Sequence, residues 1–152
     1  MTKRRVLDKD KVAQAAADIV KESGLPALTF GTLAKKLDIK SQSVYNYFHN
    51  LDSLLEYLGT CLMKDLYAEL ATGLIGLSGK EALLKYGEIA RTFFLAQGKL
   101  VGTIQTIQNY PKDSDFVQSM EKVLGIIGKI MDGEKDIRVD RVTFLQAFIS
   151  QV

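Results

Sequence analysis

Residues 24–55 read GLPALTFGTLAKKLDIKSQSVYNYFHNLDSLL, and their spacing decides the fold. Gly24 with Leu25-Pro26 breaks the chain, and Thr29 is suited to cap a short helix in which Phe30, Leu33, Ala34 and Leu37 recur at i, i+3, i+4, i+7. Asp38-Ile39-Lys40 leaves room only for a tight connection. A third helix, capped by Ser41, then turns Val44, Tyr45 and Phe48 inward, and Asn50 caps a fourth. Two short helices joined by three residues make a helix-turn-helix. Its expected small core is Ile19, Val20, Leu33, Ala34, Leu37, Ile39, Val44 and Phe48. The outward side of the third helix is left with Ser41, Gln42, Ser43, Asn46, Tyr47 and His49, small and polar side chains of the kind that enter a major groove. Gln and Asn can bond adenine with two hydrogen bonds, and Ser can bond either base type.

Upstream, Asp8 can cap a helix with Val12, Ala16, Ile19 and Val20 on one face, ending in a left-handed Gly24. Downstream, the fourth helix continues through Leu55, Leu58, Leu62, Leu66 and Leu70 to about Gly73. The glycines from Gly73 to Gly79 mark a joint. Further helices follow over about 80–97, 100–109, 114–130 and 138–152. In the last, Val142, Leu145, Ile149 and Val152 form one stripe. It reaches Val152 with no stop signal, which leaves open that the chain continues. The expected fold class is all-α: a three-helix helix-turn-helix DNA-binding domain at residues 1–50, then a helical-bundle domain at 51–152.

The bulk numbers agree with this division. Hydrophobic residues at 47% and charged residues at 25% suit an ordinary globular chain and exclude a disordered tail. Residues 1–50 hold nine Lys and Arg against five Asp and Glu; residues 51–152 hold eleven against thirteen. A basic front and a mildly acidic body fit a protein whose front meets a polyanion. Cys61 is the one cysteine, so no internal disulfide forms, and it reads as a small buried hydrophobe before it reads as a sensor thiol. The basic start, Met-Thr-Lys-Arg-Arg, has no apolar stretch behind it, and no run approaches the roughly 20 apolar residues of a membrane span. The expected location is the cytoplasm, with no membrane partner.

Catalysis finds no support. His49 is the single histidine, so neither a Ser-His triad nor a His-based zinc site can form, and the carboxylates are scattered over helical surfaces. No metal and no cofactor is implied. The body carries Met63, Tyr67, Tyr86, Phe93, Phe94, Tyr110, Phe116, Met120, Phe144 and Phe148, which could line a ligand pocket. Aromatics at helical spacing also fill cores, and spacing alone does not sort them. Gly125 and Gly128 lie three apart on one helix, a hint of close helix approach.

Gly24, the Leu33-Ala34 pair, Leu37, Ile39, Val44-Tyr45, Tyr47-Phe48 and Leu54-Leu55 stand in the order and spacing of the tetracycline-repressor (TetR) family, and residues 8–58 resemble its N-terminal domain. The rest of the chain resembles that family only in its helical plan. The resemblance implies a transcriptional regulator, most often a repressor. It would act as a homodimer, joined through the stripe Val142, Leu145, Ile149 and Val152, on a roughly palindromic double-stranded operator and be released by a small-molecule effector, with residues 51–152 as the regulatory, ligand-binding and dimerisation domain. Carried over by position, Thr29 and Thr32 meet backbone or base edges. Lys40, Ser41, Gln42, Ser43 and Asn46 lie in or beside the major groove, and Tyr45, Tyr47 and His49 hold phosphates. Lys3, Arg4 and Arg5 form a basic arm. Tyr45 is expected half-buried and Tyr47 more exposed. Three positions depart from the pattern: Asp38 stands where Gly is usual, Leu51 where Lys is frequent, and Gly31 where a base-reading side chain can sit. Leu51 in place of Lys, with the modest basic surplus of the front, keeps a second reading open, a TetR-fold protein acting through protein partners as a co-activator or adaptor without binding an operator. A small helical enzyme has no sequence feature behind it.

Overall fold

The computed structural model describes residues 6–106 and 110–132. The basic arm (Lys3, Arg4, Arg5), the expected last helix with its stripe Val142, Leu145, Ile149 and Val152, and the aromatics Phe144 and Phe148 lie outside the described residues. Within them the chain is helical: α1 (Lys9–Ser23), α2 (Phe30–Leu37), α3 (Ser41–Val44), α4 (Leu51–Gly73), α5 (Gly79–Gln97), α6 (Val101–Thr106) and α7 (Asp115–Asp132), with no strand among the described residues. Short 3-10 turns at Leu25–Ala27 and Gly98–Leu100 precede α2 and α6.

Side chains that satisfy the first free backbone donors set the helix starts. Asp8 accepts from the Lys11 N–H at 2.8 Å, and Asn50 from the Ser53 N–H at 2.8 Å. Thr29 and Thr32 form a reciprocal capping box, as do Asn50 and Ser53. Ser114 accepts from the Val117 N–H at 3.3 Å and opens α7. Two expectations fail in detail. Ser41 is the first helical residue of α3 and not its cap, because extended Lys40 holds the cap position with no side-chain bond. Gly24 has φ 89° and ψ 165°, positive but not left-handed helical, a conformation open to Gly because it lacks Cβ.

The turn between α2 and α3 ends in a Schellman arrangement. Asp38 is left-handed (φ 55°, ψ 48°), its N–H reaches the Lys35 carbonyl at 3.3 Å, and the Ile39 N–H reaches the Ala34 carbonyl at 3.0 Å. Asp38 thus fills a site that glycine fills without strain. At the other end of α4, a Cβ on Gly73 would come within 2.5 Å of Ile89 Cδ1, the tip of a side chain that would have to shift to make room.

One hydrophobic cluster runs through the molecule, from Val12 in α1 to Ile127 in α7. Helix α4 forms its axis: Leu54, Leu58, Leu62, Met63, Leu66 and Leu70 are all 5% exposed or less. Leu54, Leu58, Val44 and Phe48 belong to this cluster, as do Tyr86, Phe94, Phe116 and Val123 of α5 and α7. Tyr86 is fully buried and its phenol donates to the Val123 carbonyl at 2.9 Å, tying α5 to α7. Tyr110 donates to the Asp52 carbonyl at 2.7 Å and so ties the approach to α7 to the start of α4.

Three measurements follow from this packing. Leu66→Ala should lower unfolding free energy by about 2–5 kcal/mol in urea denaturation, since nothing around a fully buried site collapses to fill the space. Asp38→Gly should raise stability by about 1 kcal/mol by removing left-handed strain. Burial pushes the Tyr86 phenol up, so its neutral form is the one the fold favours. That contribution is whole below the ordinary phenol range and is lost as pH climbs above about 10. The urea midpoint should fall on the alkaline side, and Tyr86→Phe should flatten part of the fall.

Candidate nucleic-acid interface

The head is built so that one face of α3 and its continuation has nothing covering it. Lys40, Ser41, Gln42, Tyr45, Asn46 and His49 are exposed and Ser43 is half-buried, while Val44 and Phe48 are buried. Thr29 and Thr32 lie exposed at the start of α2. The non-arm DNA candidates thus fall on α2 and its cap, on the turn into α3, on α3 and on the turns that continue it. Thr29 and Thr32 already use their hydroxyls locally: Thr32 Oγ1 donates to the Ala27 carbonyl at 2.8 Å and accepts from the Thr29 N–H at 3.0 Å.

The two tyrosines exchange their expected roles. Tyr45 is 57% exposed, its ring edge-on to Phe30 with centroids 4.9 Å apart. Tyr47 is half-buried, and its phenol reaches the Leu7 carbonyl at 3.4 Å. Helical geometry explains the exchange. Regular α-helix ends at Val44, and the following turns close through i→i+3 bonds: Tyr45 N–H to Gln42, Asn46 N–H to Ser43 and Tyr47 N–H to Val44. In that tighter winding residues i and i+3 eclipse, so Tyr47 falls in line with buried Val44 and Tyr45 swings out. The surface that a duplex could meet thus carries Tyr45 and has Tyr47 at its edge. The bonds at Gln42, Ser43 and Val44 leave the first turn's side chains free.

Long-range contacts that the sequence did not signal hold this head to the body. Tyr57 of α4 donates to Asp10 of α1 at 2.5 Å and meets Phe48 edge-on at 5.4 Å. That hydrogen bond, then burial, pushes the Tyr57 phenol up. Lys9 lies over the rings of Phe48 and Tyr57, at 5.7 and 5.9 Å. Asp10 and Tyr57 are 47 residues apart, and periodicity cannot pair groups at that separation.

The described members of the body's aromatic set are mostly buried. Met63, Tyr86, Phe93, Phe94 and Phe116 are 5% exposed or less; Tyr110 and Met120 are half-buried, and Tyr67 is exposed. Three surface grooves, along α4 with the head, between α1 and α4, and between α4 and α5, are walled by other residues. Cys61 is half-buried, and burial pushes its thiol up. No group of three or more His, Cys, Asp or Glu suited to a metal ion occurs among the described residues, and no described helix is long and apolar enough to cross a membrane.

The sequence matches no protein-family model and no curated protein. Solved structures do match. A TetR-family transcriptional regulator from Streptomyces coelicolor superposes with a TM-score of 0.69 at 16% identity, over 97% of this chain and 82% of its own. The fatty acid degradation regulator FadR from Bacillus halodurans gives 0.71 at 16% identity, over 98% and 82%. The TetR-family protein ActR of Streptomyces coelicolor, in complex with (S)-DNPA, gives 0.62 at 22% identity, over 95% and 71%. At such identities the likeness speaks for the fold.

Removing the cap at the edge of this surface tests how the head is held. Thr29→Ala should cost about 1 kcal/mol in thermal or urea unfolding. The descent of the chain through a capped α2, a three-residue turn and a short α3 onto a long α4, with α5 to α7 packed behind, is the all-helical fold of TetR-family transcriptional regulators.

Proposed function

We propose that the chain is a sequence-specific DNA-binding transcriptional regulator, a repressor that answers to a small-molecule effector. The observation that carries the reading is the uncovered face of α3: Ser41, Gln42 and Asn46 project from a head whose core residues Val44 and Phe48 are fixed from behind. Gln42 and Asn46 read base edges, Ser41 and Ser43 support them, and Lys40, Tyr45 and His49 grip phosphates, with Tyr47 at the margin. Thr29 and Thr32 present the start of α2 to the backbone, and Lys3, Arg4 and Arg5 add charge that is blind to sequence. Residues 1–50 serve as the reading head and 51–152 as the regulatory and dimerisation body. The regulator works in the cytoplasm as a homodimer on a roughly palindromic operator, with half-site centres one helical turn of DNA apart, about 34–36 Å, or a multiple of it. Its chemistry is binding and not catalysis.

Selection of bound duplexes from a random pool with the purified protein tests this and supplies the operator. Gln42→Ala or Asn46→Ala should then cost about 1–3 kcal/mol on the selected duplex and relax base choice at one position. Neutralising Lys3, Arg4 or Arg5 should weaken all duplexes alike and flatten the dependence on salt. Equal loss on selected and random DNA for Gln42→Ala would remove α3 from the groove. No preferred duplex even at low salt would favour the reading in which the fold acts through protein partners.

A further inference from the structure

A groove of about 230 Å³ lies where the head meets the body. Its floor is one face of α4, on which Ser53, Glu56, Tyr57, Thr60 and Lys64 recur at helical spacing over about 16 Å. Lys9 of α1, Tyr47, Phe48 and His49 from the end of the α3 segment, and Asp115, the first residue of α7, complete the wall. The hydroxyls in this wall are already engaged. Ser53 donates to the Asn50 carbonyl, Thr60 to the Glu56 carbonyl and Tyr57 to Asp10.

The charged groups are in a different condition. Lys9, Glu56, Lys64 and Asp115 form no ion pair with one another or with any other described residue; the one ion pair among the described residues is Lys85–Glu88. Two cations and two anions therefore converge on one groove and stay apart, beside the rings of Phe48 and Tyr57, with Lys9 already turned over those rings. A ligand bearing a single charge would be drawn by one pair and opposed by the other. A ligand bearing both charges meets both pairs, and an aromatic ring finds the apolar part of the wall. We infer that this groove binds a small zwitterion carrying an aromatic ring, of the amino-acid type. As the effector site, it rests on the regulator reading. Phe48 and His49 belong both to the groove and to the head, so an occupant touches the segment that carries Asn46 without entering the sealed body core.

Titration calorimetry of the full chain with phenylalanine, phenylacetate and phenethylamine tests the inference, because the last two each lack one of the charges. Phenylalanine should bind saturably, at least tenfold more tightly than either control. Glu56→Gln and Lys64→Gln, both outside the DNA-reading surface, should each cut that advantage to threefold or less while leaving the thermal midpoint and duplex affinity in place. Absence of saturable binding by phenylalanine, or equal binding by all three probes, overturns the inference. Affinity of the ligand-free protein for its selected duplex is read separately. A bound duplex with an empty groove ends the groove alone, and a filled groove with no preferred duplex ends the regulator reading alone.

Discussion

A single helix lends its apolar stripe to both halves of the molecule. α4 runs for 23 residues, about 34 Å, with Leu54, Leu55 and Leu58 towards the head and Leu62, Met63, Leu66 and Leu70 in the body. Burying a leucine side chain is worth roughly 1.5–3 kcal/mol, so this stripe accounts for a large part of the folding drive in a chain of this size. Phe48, at the end of the α3 segment, meets Tyr57 of α4 edge-on at 5.4 Å, so the head rests directly on this helix.

Polar contacts refine what that packing starts. Tyr57 lies at the corner where α1, the α3 segment and α4 meet, bonded to Asp10 and edge-on to Phe48. Tyr110 and Tyr86 do comparable work for the body, each lending a phenol to a distant backbone carbonyl. Three tyrosines thus act as cross-braces, with apolar rings in the core and hydroxyls that reach across helices. All three phenols are pushed up, Tyr57 first by its bond to Asp10, Tyr86 and Tyr110 first by burial.

The head also shows how little regular helix is needed to hold an exposed face in place. α3 has four α-helical residues and continues by tighter turns, yet Val44 and Phe48 anchor it firmly enough to leave Gln42, Tyr45 and Asn46 facing out. Asp38, in a left-handed conformation and with an exposed carboxylate, makes the sharp turn without glycine. Short polar side chains tolerate that geometry better than most.

Local patterns were enough for most of the described helices and their starts, Ser41 excepted, because capping and amphipathic spacing act within about four residues. Asp8, Thr29, Asn50 and Ser114 cap as their positions suggest, and the Leu33-Ala34, Val44 and Phe48 core of the head follows from the same periodicity. Only the tertiary structure decided which way Tyr45 and Tyr47 face, since that depends on a change of winding after Val44. It alone sealed Tyr86, Phe94 and Phe116 in the body, and it alone drew Lys9, Glu56, Lys64 and Asp115 to one groove. Those outcomes turn on contacts between residues tens of positions apart, and no pattern confined to one helix contains them.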